Sequence, residues 1–169
     1  MKVAIIMGSD SDLSIMKEAA VVLEEFGVDY HLTVISAHRT PAKAEEFARS
    51  AEERGYDVII AGAGKAAHLA GVLAAYTVLP VIGVPIRTST LGGADSLYSM
   101  VQMPSGVPVA TVALNGAKNA ALLAVQIIAG KNQELRESFR RYKENLKEEV
   151  LKTGQELEEL GYQKYLEKD

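Results

Sequence analysis

At 169 residues, 48% hydrophobic and 24% charged, the chain is long enough for a real core and has the composition of an ordinary soluble globular domain. A net charge of −4 gives no overall attraction to nucleic acid or an anionic membrane, so neither is an expected partner and any phosphate must be held by a local site. The absence of cysteine excludes disulfides and thiolate metal centres.

Lys2–Met7 is a continuous apolar run with β-branched residues, the pattern of a strand covered on both faces. Because that strand starts at Lys2, no room is left for a leader segment, and apolar runs such as 120–129 are too short to cross a bilayer. The cytoplasm is the expected location. Serines and aspartates follow the strand, and apolar side chains at Leu13, Met16, Ala19, Ala20 and Leu23 then recur at helical spacing over Asp12–Phe26. Gly27 stops that helix.

Strand, helix and glycine repeat from there. A second strand is expected over Tyr30–Ile35, and a helix over Pro41–Arg54 that proline opens and Gly55 closes. Val58–Ala61 reads as the third strand, Ala66–Tyr76 as an alanine-rich helix, and Val81–Val84 as the fourth strand. A flexible stretch over Pro85–Gly93 leads to a short helix at Asp95–Gln102, a fifth strand at Val107–Val112 and a helix at Ala117–Ala129. This alternation implies right-handed crossovers and an α/β fold in three layers, a parallel five-stranded sheet with helices on both faces. A flavodoxin-like strand order suits five strands, although the pattern alone does not select it.

After Gly130 the composition changes. About half of the charged residues fall in Lys131–Asp169, with alternating signs and apolar residues at Leu135, Phe139, Tyr142, Leu146 and Val150. This predicts an amphipathic helical tail, interrupted at Gly154 and resuming near Gln155. Residues 1–130 are then the catalytic α/β part, and 131–169 an element of the same domain suited to a subunit interface, because the sheet already has helices enough.

Three loops follow strands and carry the polar residues that the strands lack. In a parallel sheet such loops converge on one edge, where ligands bind. Two histidines, one arginine, several hydroxyls and two carboxylates are therefore expected in one cleft. Gly8-Ser9-Asp10-Ser11-Asp12 offers backbone amides and the hydroxyls of Ser9 and Ser11 to an anion, beyond what helix capping alone requires. Asp12 would repel a phosphate but can accept hydrogen bonds from sugar hydroxyls. Ser36-Ala37-His38-Arg39-Thr40-Pro41 pairs a guanidinium shaped for phosphate with an imidazole able to act as general acid and base.

Gly62-Ala63-Gly64-Lys65-Ala66-Ala67-His68 fails the phosphate-loop pattern of nucleotide hydrolases, since Ile59 and Ala66 occupy its glycine and hydroxyl positions. Gly62-x-Gly64-x-x-Ala67 matches a dinucleotide fingerprint only loosely, without the acid expected about 20 residues on. What remains is physical: small residues admit a ligand to backbone amides, with His68 in the first turn of the helix. His31, inside the second strand, is read as structural. The histidines lack metal-ligand spacing, and no nucleophile elbow is present, so neither a metal nor nucleophilic catalysis is expected.

Taken together, Met7-Gly8-Ser9-Asp10-Ser11-Asp12, Ser36 to Pro41, Ala61 to Leu69, Gly83-Val84-Pro85, Asp95 to Ser99, Gln102 to Pro108 and Asn119 to Ala124 resemble one family. It is the carboxyaminoimidazole ribonucleotide mutase family of purine biosynthesis, and the resemblance covers residues 2–130. It implies a flavodoxin-like octamer in which a carboxylate moves from the exocyclic nitrogen to ring carbon 4 of a ribonucleotide, without metal or organic cofactor. By position it makes His38 and His68 catalytic, with His38 the general acid and base and His68 in the loop that holds departing carbon dioxide. The same carry-over gives substrate contacts to Gly8, Ser9, Ser11, Asp12, Ser36, Ala37, Arg39, Ala63, Gly64, Lys65 and Leu69. Ser9, Asp12 and Arg39 fall on the ribose phosphate, and the segment around Gln102–Val107 would close over the site. Enclosure would make recapture of the gas effectively unimolecular, and Ala66, Ala67 and Ala70 suit such an apolar pocket.

Lys65 and Ala70 depart from the family pattern, which commonly has glycine and proline there. A second class of the family carboxylates the aminoimidazole nucleotide directly from carbon dioxide. It typically lacks the counterpart of His68 and has lysine in place of Arg39, so both residues point to the mutases.

Overall fold

The computed structural model describes residues 1–168. The chain divides into two compact units, Met1–Ile128 and the segment from Ala129 onward. In the first, β1 (Lys2–Met7), β2 (Asp29–Val34), β3 (Val58–Gly64), β4 (Val81–Ile86) and β5 (Ala110–Thr111) form one parallel sheet in the order 2-1-3-4-5. This is the flavodoxin-like order, with its switch point between β1 and β3. The helices are α1 (Leu13–Glu25), α2 (Pro41–Ser50), α3 (Leu69–Tyr76), α4 (Ala94–Val101) and α5 (Ala117–Ala129).

Alternation along the strands divides the core. Ala4, Ile6, Ile59, Ala61 and Ala63 pack with Phe47 of α2, Leu73 of α3 and Met100 of α4 on one face. Gly62 points to the other face, where a Cβ would stand 2.3 Å from the Met16 sulfur of α1. Leu13, expected on the buried stripe of α1, is 45% exposed.

Register fixes the site. Met7 lies opposite both Val34 and Gly62, and Gly64 lies opposite Ile86, so β1 to β4 end at nearly one level. Two of these strands run longer than their apolar cores suggested. β3 continues through Gly64, so Gly62, Ala63 and Gly64 are strand residues and the third loop shortens to Lys65–His68. β4 continues through Ile86 because the β5 ladder stops at Gly83, which leaves Pro85 without a neighbour to demand its missing donor on that side. β5 pairs only over Ala110–Thr111, not Val107–Val112, since Pro108 has no N–H and Val107 turns to the Pro104 carbonyl. α3 begins at Leu69 with His68 at its N-cap position, rather than at Ala66.

In the second unit, α6 runs over Gln133–Leu166, and the Asn132 side chain caps it by accepting from the Leu135 amide at 2.8 Å. Gly154 stays helical, contrary to the expected interruption. The break falls at Gly161, where φ is +73°. A helix tolerates an interior glycine at about 1 kcal/mol, but a positive φ ends its ladder.

Candidate active site

Loops after β1, β2, β3 and β4 enclose a cleft of about 490 Å³. Gly8, Ser9, Ser11, Asp12, Ser36, Ala37, His38, Arg39, Ala63, Gly64, Lys65, His68 and Leu69 all line it. The residues expected to be catalytic or to contact substrate are thus brought together, whereas none of Gln102–Val107, expected to close over the site, lines this cleft. Ala66 and Thr88 line it too. Thr88 lies two residues past β4, in the stretch read only as flexible, and the rule that βα loops meet at one sheet edge was the signal for it. Two further expectations fail. Asp10 lines a neighbouring concavity with Val34 and Thr40 instead of the cleft. Ala67 and Ala70 are wholly buried in the core, so of the three alanines only Ala66 faces a ligand.

The first loop is a compact hydrogen-bonded turn. Ser9 Oγ accepts from the Ser11 amide at 3.3 Å and the Ser11 hydroxyl at 3.0 Å, while Asp10 Oδ1 accepts from the Ser9 hydroxyl and the Ser11 amide, both at 3.1 Å. The Gly8 amide donates to the Gly62 carbonyl at 3.0 Å, which ties the loop to β3. Asp12 is 8% exposed, and burial pushes its carboxyl above its ordinary 3.8 despite hydrogen bonds from Ser11 and the Ser9 segment.

In the second loop the Thr40 hydroxyl accepts from the Ser36 amide at 3.1 Å and donates to the Ser36 carbonyl at 3.0 Å, closing a tight turn. That turn aims Arg39 back at the first loop. Its Nη2 donates to the Gly8 carbonyl at 2.9 Å and its Nε to Ser36 Oγ at 3.2 Å, leaving further guanidinium donors for a ligand. The cation is exposed, fixed in place, and set beside the serine hydroxyls of the first loop.

His38 and His68 meet across the cleft. His38 Nε2 and His68 Nδ1 are 2.9 Å apart, and the rings stand edge to face at 85° with centroids 5.0 Å apart. One of these nitrogens donates and the other accepts, the roles set by the ring tautomers. Such a pair can deliver a proton to a ligand atom and later retrieve it. Next to it Lys65 is exposed at φ +57°, a left-handed backbone that costs a lysine roughly 1–2 kcal/mol and that glycine adopts freely.

His31 stays apart from the cleft, as expected. Its ring is tilted against Tyr56 at 6.4 Å, and burial, with the Arg54 and Lys2 charges, pushes its pKa down. No group of three or more metal-type ligands occurs, and no helix is long and apolar enough to cross a membrane, among the described residues.

Residues 2–149 match the sequence model of the AIR carboxylase family. The chain is 61% identical over 165 residues to the N5-carboxyaminoimidazole ribonucleotide mutase of Thermotoga maritima, covering 98% of this chain and 96% of that protein. It is 57% identical over 163 residues to the phosphoribosylaminoimidazole carboxylase of Schizosaccharomyces pombe, covering 96% of this chain but 30% of that protein. Among solved structures, Treponema denticola PurE superposes with a TM-score of 0.83 at 30% identity, over 92% of this chain and 98% of that one.

Proposed function

The chain belongs to the AIR carboxylase family, and from that membership we propose that it is a mutase converting N5-carboxyaminoimidazole ribonucleotide to 4-carboxy-5-aminoimidazole ribonucleotide. Relatives about 60% identical over nearly the whole chain, named for this reaction, support the assignment. The observation that carries the chemistry is the 2.9 Å contact between His38 and His68 at the cleft.

Arg39, with Ser9, Ser11 and the amides that follow Gly8, holds the ribose phosphate, since charge-assisted bonds from a forked guanidinium suit that group. Asp12 accepts from the ribose hydroxyls. Ser36 holds Arg39 from behind, and Ala37, Ala63, Gly64, Lys65 and Leu69 form the walls around the base. In the reaction the bond between the exocyclic nitrogen and its carboxylate breaks, carbon dioxide leaves, and His38 gives the nitrogen a proton. Carbon 4 then attacks the retained gas, a carbon–carbon bond forms, and the proton on carbon 4 returns to His38. Between the two steps His38 lacks that proton, and His68, 2.9 Å away, hydrogen-bonds its ring and keeps it in place. Protons, electrons and carbon all balance within the substrate, so the protein's own side chains suffice.

The same loops could serve a direct carboxylase, and the relative bearing that name keeps this reading in view. A carbon-13 label separates them. The labelled N-carboxylated nucleotide, turned over in excess unlabelled bicarbonate, should yield a product that retains its label. Complete washout at a rate set by bicarbonate would make the chain a carboxylase.

The working form is read as a cytoplasmic homo-oligomer, an octamer on the family resemblance, with the tail from Lys131 as an interface element. A contiguous concavity on the first unit, lined by Val72, Ala75, Tyr76, Tyr98 and Met103, supports self-association. Sedimentation should report an oligomer, and a monomeric active protein would remove this part of the reading.

A further inference from the structure

Three side-chain oxygens are buried without a hydrogen-bond partner among the described residues: Thr88 Oγ1, Asp95 Oδ1 and Thr111 Oγ1. Of these residues, Thr88 alone lines the cleft. It stands just past β4, facing the end of β3, where a Cβ on Gly64 would come within 2.8 Å of the Thr88 methyl. Glycine at 64 thus lets Thr88 close tightly on the strand, methyl toward the backbone and hydroxyl enclosed. Folded proteins leave few hydroxyls in that condition, because an enclosed O–H without a partner forfeits the hydrogen bonds that water would give it. In the wall of a ligand site, the missing partner can be the ligand.

The strand order says which part of the ligand that is. Arg39 comes from the loop after β2, Gly8 to Asp12 from the loop after β1, and Thr88 from the loop after β4, with β3 between. A nucleotide whose phosphate lies at Arg39 therefore extends across the sheet edge toward Thr88 with its base. We propose that Thr88 is a further substrate-binding residue whose hydroxyl donates a hydrogen bond to the carboxylate carried by the base. One step about χ1 exchanges the positions of hydroxyl, methyl and hydrogen, so the backbone need not move to present Oγ1 to a ligand. Ala63, Gly64 and Leu69 beside it supply no side-chain donor, so the side-chain donors at that end of the cleft are Thr88, Lys65 and His68. The inference rests on the cleft being the nucleotide site.

Thr88→Val keeps the shape and removes the hydroxyl, and Thr88→Ser keeps the hydroxyl and removes the methyl. Affinity for two probes, ribose 5-phosphate and 4-carboxy-5-aminoimidazole ribonucleotide, is measured with melting temperature and kcat/KM. Thr88→Val should melt no lower than the parent, since it loses an unpartnered polar atom. It should bind ribose 5-phosphate unchanged, yet bind the carboxylated nucleotide about ten- to a hundredfold more weakly, as a lost hydrogen bond to a charged group requires. kcat/KM should fall with it, and Thr88→Ser should stay within about threefold of the parent on the same argument. Thr88→Val with parental affinity for the carboxylated nucleotide would overturn the inference alone. A lower melting temperature would also overturn it, by showing that the hydroxyl already has a partner in the protein. A parent protein that binds neither probe would overturn the nucleotide reading of the cleft, and this inference with it.

Discussion

His38→Asn folds like the parent and turns over the carboxylated nucleotide about a hundred to ten thousand times more slowly, the usual contribution of a positioned general acid and base. The side chain is exposed, so its loss leaves no cavity, and asparagine keeps a polar group in the same loop. What disappears is the imidazole whose Nε2 meets His68 Nδ1 across 2.9 Å. Decarboxylation then leaves a nitrogen anion with no acid beside it, and the proton on carbon 4 has no base to go to. Because Arg39 and the first loop are untouched, KM should change little while kcat falls, which marks an interaction made only in the transition state. Circular dichroism and single-turnover rates check both halves. A variant within a few-fold of the parental kcat would take His38 out of the proton transfers.

The cleft was legible in the sequence because topology does the assembling. Once strands alternate with helices, the loops at the carboxyl ends must meet. Ser9, Asp12, His38, Arg39 and His68 then become neighbours without any knowledge of strand order. The order itself was not legible, since right-handed crossovers allow β3 on either side of β1, and only the packed sheet selects 2-1-3-4-5. Glycine is where the reading slipped. Gly62 reads as punctuation, yet it lies inside β3 because the Met16 sulfur of α1 occupies the space of a side chain. Gly154 also reads as punctuation and stays in α6, whereas Gly161 breaks the helix by taking a positive φ. A glycine signals that no side chain is wanted, and whether a turn or a neighbour is the reason depends on residues distant in the chain. Thr88 was missed for a related reason. Its stretch has no helical or alternating pattern, and its partner, Gly64, is marked by the absence of a side chain.

Arg39→Ala raises KM for the nucleotide about ten- to a hundredfold, the size expected when a phosphate loses charge-assisted hydrogen bonds. It also severs the Nη2 bond to the Gly8 carbonyl, by which the second loop holds the first, and the Nε bond to Ser36 inside the second loop. The parental KM should rise with salt, and that dependence should flatten in the variant, because the lost contact is the exposed ionic one. Asp12→Asn is the informative companion, since it also weakens binding, through the ribose, but moves stability the other way. Burial raises the Asp12 carboxyl above 3.8, so from that value upward the folded protein holds its proton more tightly than the unfolded chain does. Folding stability therefore falls as pH climbs from 3.8 through the raised value, and above it the buried charge is a standing cost. An asparagine side chain carries no such charge. The variant and the parent should melt alike below 3.8 and separate as pH rises, with the variant the more stable at neutrality. A pair of variants in which Arg39→Ala leaves KM and its salt dependence unchanged would strip the phosphate role from Arg39. An Asp12→Asn protein less stable than the parent at pH 7 would show that the carboxylate is held for the fold. Weaker binding with greater stability is the signature of a charge kept in a buried place for its ligand.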